Sequence, residues 1–402
     1  MRFPIFRSRG PRLLSQTTST GFSFTCTARV KGTLARESLQ AALIKLARRH
    51  PMLAARLAVE GGDYFFTDEG ALPIILEEVV RLSPDTWIDQ ADQSMPLRTN
   101  FATGPLCRCV WVRGTGEHEL VMVHDHGSVD GRSAVTVLKD LLTFAAEPER
   151  QPETLEPVRL AERFPETALR AIADLMALPP NDAPQTPWLS EPSVRPRTIV
   201  PVSLSSEETS ALVERCRHHG VTVQAALLAA YLKPFAEREP GRPLRKAEVP
   251  LDMRGALTSS IGETCANCIG LALVEVDCAS SDLWQVARGA KRSLDAIDLS
   301  EQFLNIPLIF SAVDRLPQPR TLTWEYDLSV SNVGRAGIPD RYGGLELVQI
   351  FGPTFNVTKD DHKVLGVTTA GGRLSGTYTS RDADADALER RGTELLRTMI
   401  AL

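Results

Sequence analysis

No stretch of this chain approaches the run of ~20 apolar residues that a membrane helix needs. The basic opening "MRFPIFRSRG" runs into the polar "PRLLSQTTST" rather than into the apolar core of a secretory signal. A soluble, cytoplasmic protein without a transmembrane segment is the expectation. A basic excess is also missing: 45 Lys and Arg against 50 Asp and Glu leave a net charge of −5. Nucleic acid is therefore not an expected partner, although a small polyanion needs only a few placed cations. The seven cysteines are an odd number in a long chain and do not read as a disulfide framework. Cys107 and Cys109 alternate in a strand-like run, as half-buried thiols would. "CANC", Cys265 to Cys268, has redox or zinc spacing, but no second pair follows it. No Gly-x-Ser-x-Gly elbow is present, which argues against a serine hydrolase.

The organisation follows from length and proline. A chain of 402 residues predicts two domains of roughly 200 residues each. Leu178 to Pro201 holds seven prolines, a density that neither a helix interior nor a central strand tolerates. The expected division is residues 1–178, a linker over 179–200, and residues 201–402. The two parts echo one another. "TLARESLQAALIKLARRHP" predicts an early helix with Leu39, Ala42, Leu43 and Leu46 on one face. "SLSSEETSALVERCRHHG" does the same in the second part, with Ser205 and Glu208 at capping-box spacing and Gly220 as its stop. "VTVQAALLAAYLKPFAER" predicts a further, strongly apolar helix. β-rich runs lie between them: "FSFTCTARV", "LCRCVWVR", "ELVMVHDH", "GLALVEVD", "LTWEYDLSVSN", "LELVQIFG" and "RLSGTYTS". The mixture predicts an α/β or α+β protein with two sheets.

One stretch carries more chemistry than the rest: "LVMVHDHGSVDGRSAV", residues 120 to 135. As a strand, "ELVMVHDH" points Val121, Val123 and Asp125 one way and Met122, His124 and His126 the other. "GSVDG" breaks it, and Ala134, Leu138, Leu141 and Ala145 then repeat at helical spacing. His126 is thus expected where a strand turns into a helix, a place where side chains are rigidly held yet accessible. Three readings of it stand together. It is a partly buried histidine in a polar turn, a metal ligand alongside His124, or a general base with Asp130 holding the local structure. The metal reading lacks further ligands, since no other His, Cys, Asp or Glu cluster is visible.

The whole stretch "HDHGSVDGRSAVTVLKDL" resembles the HxxxDG signature of the condensation-domain-like, coenzyme A-dependent acyltransferase superfamily. Other segments resemble the family in the expected order. "LARRHPMLAARL" is similar to its early helix end, and "GPLCRCVWVRGTGEHELVMVHDH" to the strand leading into the motif. "VPLDMRGAL" resembles its Asp-x-Arg segment, and "ANCIGLALVEVD" its Gly-Asn strand. "LSVSNVGRAG" resembles the Ser-Asn-x-Gly segment of the mycobacterial polyketide-associated branch, of the phthiocerol dimycocerosyl transferase type.

The resemblance implies two chloramphenicol-acetyltransferase-like lobes, each a mixed sheet flanked by helices, with an active-site tunnel between them. Carried over residue by residue, it makes His126 the catalytic histidine. Asp130 is the motif aspartate, pointing away from substrate and paired with Arg254. Gly131 is the motif glycine, where a side chain would crowd the histidine loop. Ser331 and Asn332 face the histidine across the tunnel, as oxyanion or substrate contacts. His124 and Asp125 are secondary candidates; many relatives have a histidine where Asp125 stands, and ester-forming relatives often lack it. The implied function is acyl transfer from a thioester, on coenzyme A or an acyl-carrier protein's phosphopantetheine, to the hydroxyl of a lipid, polyketide or other secondary metabolite. No bound cofactor and no metal are implied, and a monomer is expected. The alternatives are a free-standing condensation enzyme forming an amide and a non-catalytic carrier-protein docking module. "RPLRKAE", residues 242 to 248, is expected to be a solvated charge run, and His50, His218, His219 and His362 helix-end or loop residues.

Overall fold

The computed structural model describes residues 2–4, 23–60, 63–97, 99–177, 195–299, 302–303, 325–357 and 360–401. Their strands form three sheets. A small one has the order β1 (Arg2–Pro4), β4 (Asp63–Thr67), β3 (Arg56–Glu60). The first large sheet has the order β12 (Arg341–Tyr342), β13 (Leu345–Phe355), β2 (Ser23–Lys31), β7 (Glu117–Asp125), β6 (Cys107–Arg113), β5 (Ile75–Val80). The second has the order β10 (Ile269–Asp277), β9 (Leu244–Asp252), β11 (Leu328–Arg335), β14 (Lys363–Ala370), β15 (Arg373–Ser380), β8 (Thr198–Ser203).

The helices are α1 (Arg36–Arg49), α2 (Thr86–Ser94), α3 (Gly131–Ala146) and α4 (Glu166–Ala177), then α5 (Ser206–His218), α6 (Val223–Arg238), α7 (Leu283–Asp295) and α8 (Ala385–Ala401). The periodicities of the sequence place their buried faces. Leu39, Ala42, Leu43 and Leu46 of α1 join Ala134, Leu138 and Leu141 of α3 over Phe24, Cys26 and Met122 of the first sheet. Trp87 of α2 covers Val121 and Val123 on the other face. In the second lobe α6 is apolar nearly all round, because α7 and α8 enclose it against Ala247, Val330, Leu365 and Tyr378. Ser205 and Glu208 make the reciprocal capping box, at 3.1 and 2.8 Å, and Gly220 takes φ +66° beyond the helix end.

The two lobes interlock. β13 follows the second lobe's β11 in the chain, yet it pairs antiparallel with β2 of the first sheet. Its other surface lies on β14 and β15, where an apolar sheet face would have no use for its carbonyls. That face is instead hydroxylated. Ser375 Oγ donates to Ile350 O and Thr368 Oγ1 to Gly352 O, each at 2.8 Å, and Thr354 and Thr377 share a hydroxyl contact at 2.9 Å. Gly366 is required beneath it, since a Cβ there would come within 1.8 Å of Pro353 O.

The linker expected over 179–200 lies outside the described residues up to residue 194; Thr198 to Val200 open β8. Two smaller expectations are corrected. Cys107 and Cys109 are fully rather than half buried, because α1 and α3 cover the face of the sheet on which both lie. The charge run at 242–248 is solvated only in part: Arg242 is exposed, but Arg245 is not. Arg245 is 0% exposed, pairing with Asp327 and Glu239 at 3.1 Å and donating to Phe235 O at 2.6 Å.

Candidate active site at the histidine loop

β7 ends at Asp125, and residues 126–128 form a turn into α3. Three local contacts shape the turn. Asp125 Oδ1 accepts from Gly127 N at 3.0 Å, Ser128 Oγ donates to Asp125 O at 2.9 Å, and Asp130 caps α3 by accepting from Ser133 N at 2.8 Å. His126 is 7% exposed and packs between Phe24 and Phe355, with ring centroids 4.7 and 5.6 Å away. Its Nδ1 lies 3.1 Å from Val129 O. A carbonyl can only accept, so this contact puts the ring proton on Nδ1 and makes Nε2 the basic atom. Burial holds the imidazole below its ordinary pKa, and the Asp130 charge and the Val129 carbonyl offset only part of that.

Asp130 is fully buried and bound from the other lobe. Arg254 grips it with both terminal nitrogens, Nη1 to Oδ2 at 2.8 Å and Nη2 to Oδ1 at 3.0 Å. Cys268 N donates to Oδ2 at 3.0 Å. Burial alone would raise this carboxyl; the Arg254 charge and these donors reverse it, so Asp130 titrates below the ordinary carboxylate range. The pair is a charged, bidentate join between lobes.

The segment between β9 and β10 supplies further contacts that the motif did not announce. Asn267 Nδ2 donates to the His126 carbonyl at 2.6 Å, and Ala266 O accepts from Asp130 N at 3.3 Å and from Ser133 Oγ at 3.0 Å. Cys265 Sγ stands 3.4 Å from His50 Nδ1, whose Nε2 meets Asp140 Oδ2 at 2.8 Å. Burial pushes the Cys265 thiol well above its ordinary pKa, so the CxxC pair reads as packing rather than as a nucleophile or ligand. His50, expected only at a helix end, is buried within this contact. The quoted "ANC" was the available signal for Asn267, but nothing in a sequence says which carbonyl an asparagine will hold.

The other named residues fall as follows. His124 shares the Phe24 side with His126, its ring 5.4 Å from Phe24, fully buried and pushed down to about 3 by burial and by the nearby His126. Among the described residues no group of three or more His, Cys, Asp or Glu side chains could hold a metal ion. Burial pushes Asp125 up to about 7. Gly131 has different neighbours from those expected: an added Cβ would meet Val333 Cγ2 at 2.8 Å and Pro353 Cγ at 3.8 Å, rather than the histidine loop. Ser331 is on the same side of β11 as Val333, and Gly366, its partner across the ladder, lies under Pro353. Ser331 therefore faces the loop's surroundings. Asn332 alternates to the helix side with Val330, and its Oδ1 accepts from Gly334 N at 2.9 Å. A cavity of about 850 Å³ lies elsewhere, lined by Leu43, Ile44, Arg48 and Pro51 among others, none of them a partner of His126.

Residues 193–375 match the family described as "Phthiocerol/phthiodiolone dimycocerosyl transferase C-terminus". Over those residues the chain is similar to that family. Solved structures share this two-lobed fold over nearly the whole chain. Polyketide synthase associated protein 5 from Mycobacterium tuberculosis is 17% identical, with a TM-score of 0.67 over 100% of this chain and 99% of its own. The first condensation domain of the CDA synthetase is 13% identical, with a TM-score of 0.72 over 100% and 96%. SgcC5 from Streptomyces globisporus is 16% identical, with a TM-score of 0.62 over 95% and 93%. No curated protein matches the chain by sequence. No helix among the described residues is long and apolar enough to cross a membrane.

Proposed function

We propose that the protein transfers an acyl group from a coenzyme A or carrier-protein thioester to a hydroxyl of a lipid, polyketide or related metabolite, with His126 as the general base. The hydroxyl proton passes to Nε2 of His126 as the oxygen attacks the thioester carbonyl. The C–S bond then breaks, and the departing thiolate takes the proton back, leaving an ester and a free thiol. No covalent enzyme intermediate, metal or redox group is needed for that balance. General base catalysis of this kind contributes about 10²–10⁴-fold. Ser331, on the same side of β11 as Val333, is the residue we assign as donor to the oxyanion, a contribution of about 3 kcal/mol.

The observation that carries the reading is the Nδ1–Val129 contact at 3.1 Å, because it selects the tautomer with a basic Nε2. A docking module would have no reason to keep a buried imidazole poised in this way. The hydroxyl acceptor is favoured by Asp125. It stands where many relatives have a second histidine, and here it serves the turn through Gly127 rather than offering another base. SgcC5, one of the structural neighbours, is in complex with (R)-(-)-1-(2-naphthyl)-1,2-ethanediol, a vicinal diol. The second reading, amide formation, is kept by the condensation-domain neighbours.

The test is a mass-spectrometric screen of the purified protein with a panel of acyl-CoAs and acylated carrier proteins, against matched alcohol and amine acceptors. Ester products that disappear in His126→Ala are expected. Consistent preference for the amine would move the protein to the amide-forming reading, and no acyl transfer to either acceptor would leave the docking reading.

A further inference from the structure

Asn267 is 5% exposed, and the two ends of its amide have opposite fates. Nδ2 donates to the His126 carbonyl at 2.6 Å. Since a carbonyl can only accept, that bond decides which end of the amide faces the histidine. Oδ1 is then left buried, with no hydrogen-bond partner among the described residues. Buried acceptors are nearly always paired, and an unpaired one is costly. The residues on either side are themselves hydrogen-bonded to the histidine loop. Ala266 O is held by Asp130 N and Ser133 Oγ, and Cys268 N by Asp130 Oδ2. The same contacts that hold the histidine loop thus hold an acceptor in want of a donor beside it.

The proposed reaction limits what that donor can be. The single proton of the attacking hydroxyl goes to His126. The thioester sulfur and carbonyl carry none. Coenzyme A and a carrier protein's prosthetic arm share one N–H close to the reacting centre, the pantetheine amide two carbons from the sulfur. Asn267 is anchored on the main-chain carbonyl of His126, which sets its amide beside the histidine loop.

We infer that Asn267 is a donor-binding residue: its Oδ1 accepts from the pantetheine amide N–H nearest the thioester sulfur, while its Nδ2 holds His126. The inference rests on the acyl-transfer reading above. It makes recognition of the donor a matter of one neutral hydrogen bond to a buried acceptor, and a substrate lacking that N–H leaves the acceptor unpaired.

The experiment compares two small donors with the same acyl group, the N-acetylcysteamine thioester and the isostere in which CH₂ replaces the N–H, the thioester of 5-sulfanylpentan-2-one. The wild type should favour the amide by about tenfold or more in kcat/KM. In Asn267→Ala that preference should fall to about one, with the isostere losing less than the amide. A wild-type ratio near one overturns the inference, and that comparison needs no variant, so it decides even if Asn267→Ala fails to fold. An equal loss on both donors in Asn267→Ala also overturns it, since that is what losing the His126 contact alone would do. Turnover of neither thioester by the wild type would sink the acyl-transfer reading itself, and the inference with it.

Discussion

At the scale of single residues, His126 and Asp125 are neighbours whose buried surroundings displace them in opposite senses. Burial disfavours the charged form of each, so the imidazole is pushed down and the carboxyl up to about 7. For His126 the consequence is kinetic. Its neutral, basic form persists to a lower pH than that of a free histidine. The acid limb of kcat/KM for an alcohol acceptor should therefore lie below about pH 6.5, and a limb at or above that value would remove burial from the account. His126→Ala should lower kcat at least a hundredfold; a rate within about threefold of wild type would take His126 out of the mechanism. For Asp125 the consequence is thermodynamic. Its folded pKa is raised, so the stability it contributes is full below the ordinary carboxylate pKa and is lost as pH rises through about 7. Asp125→Asn keeps an oxygen for Gly127 N and removes that loss. Its melting temperature relative to wild type should rise between pH 4 and pH 8, and thermal scans showing an equal difference at both would contradict the assignment.

At the scale of elements, the β7–turn–α3 unit is held by a segment of the other lobe as well as by its own contacts. Arg254, Ala266, Asn267 and Cys268 each bind it between residues 126 and 133. Removing one partner of a buried charged pair leaves the other uncompensated, at about 3–5 kcal/mol. Asp130→Asn and Arg254→Ala should therefore lower the unfolding midpoint as well as the activity, which chemical denaturation of the two variants checks. Gly131 tests the other side of the unit. In Gly131→Ala the new methyl meets the β-branched Val333, and overpacking of this kind costs about 1–3 kcal/mol. The double variant Gly131→Ala, Val333→Ala should recover much of that stability. If it does not, the neighbour that matters is the histidine loop, as the motif alone suggested.

At the scale of the whole molecule, the lobes are joined by exchange of structure. β13 completes the first sheet from the second half of the chain, and Arg197, from β8's approach, donates to Asp92 Oδ1 at 2.6 Å and Asp92 O at 2.7 Å on α2. Without β13, β2 would lose its partner on that edge and expose a row of unpaired backbone groups. A fragment of residues 1–178 should consequently fail to fold on its own, giving poorly dispersed amide resonances or an insoluble product. A cooperative melt and a dispersed spectrum from that fragment would show that the first sheet does not depend on the borrowed strand.

The sequence by itself determined the features that repeat or act locally. The 3.6-residue spacing of Leu39, Leu43 and Leu46, the Ser205–Glu208 cap and the alternation through Met122 and His124 are each set within a few residues, and the helices and strands stand where those patterns put them. The order of the resembling segments also made the pairing of Asp130 with Arg254 an expectation before any distance was measured. Only the tertiary structure decided what depends on contacts between segments distant in the chain. Periodicity says that Asn332 lies on a strand but not that its side chain is spent on Gly334, and a proline-rich stretch suggests two lobes but not that β13 belongs to the first sheet. Arg245 was legible as a charge but not as a buried one, because its partners Asp327 and Glu239 lie outside the run that contains it. The same reason hid Asn267: a side-chain amide has no periodicity, and the carbonyl it holds is 141 residues away.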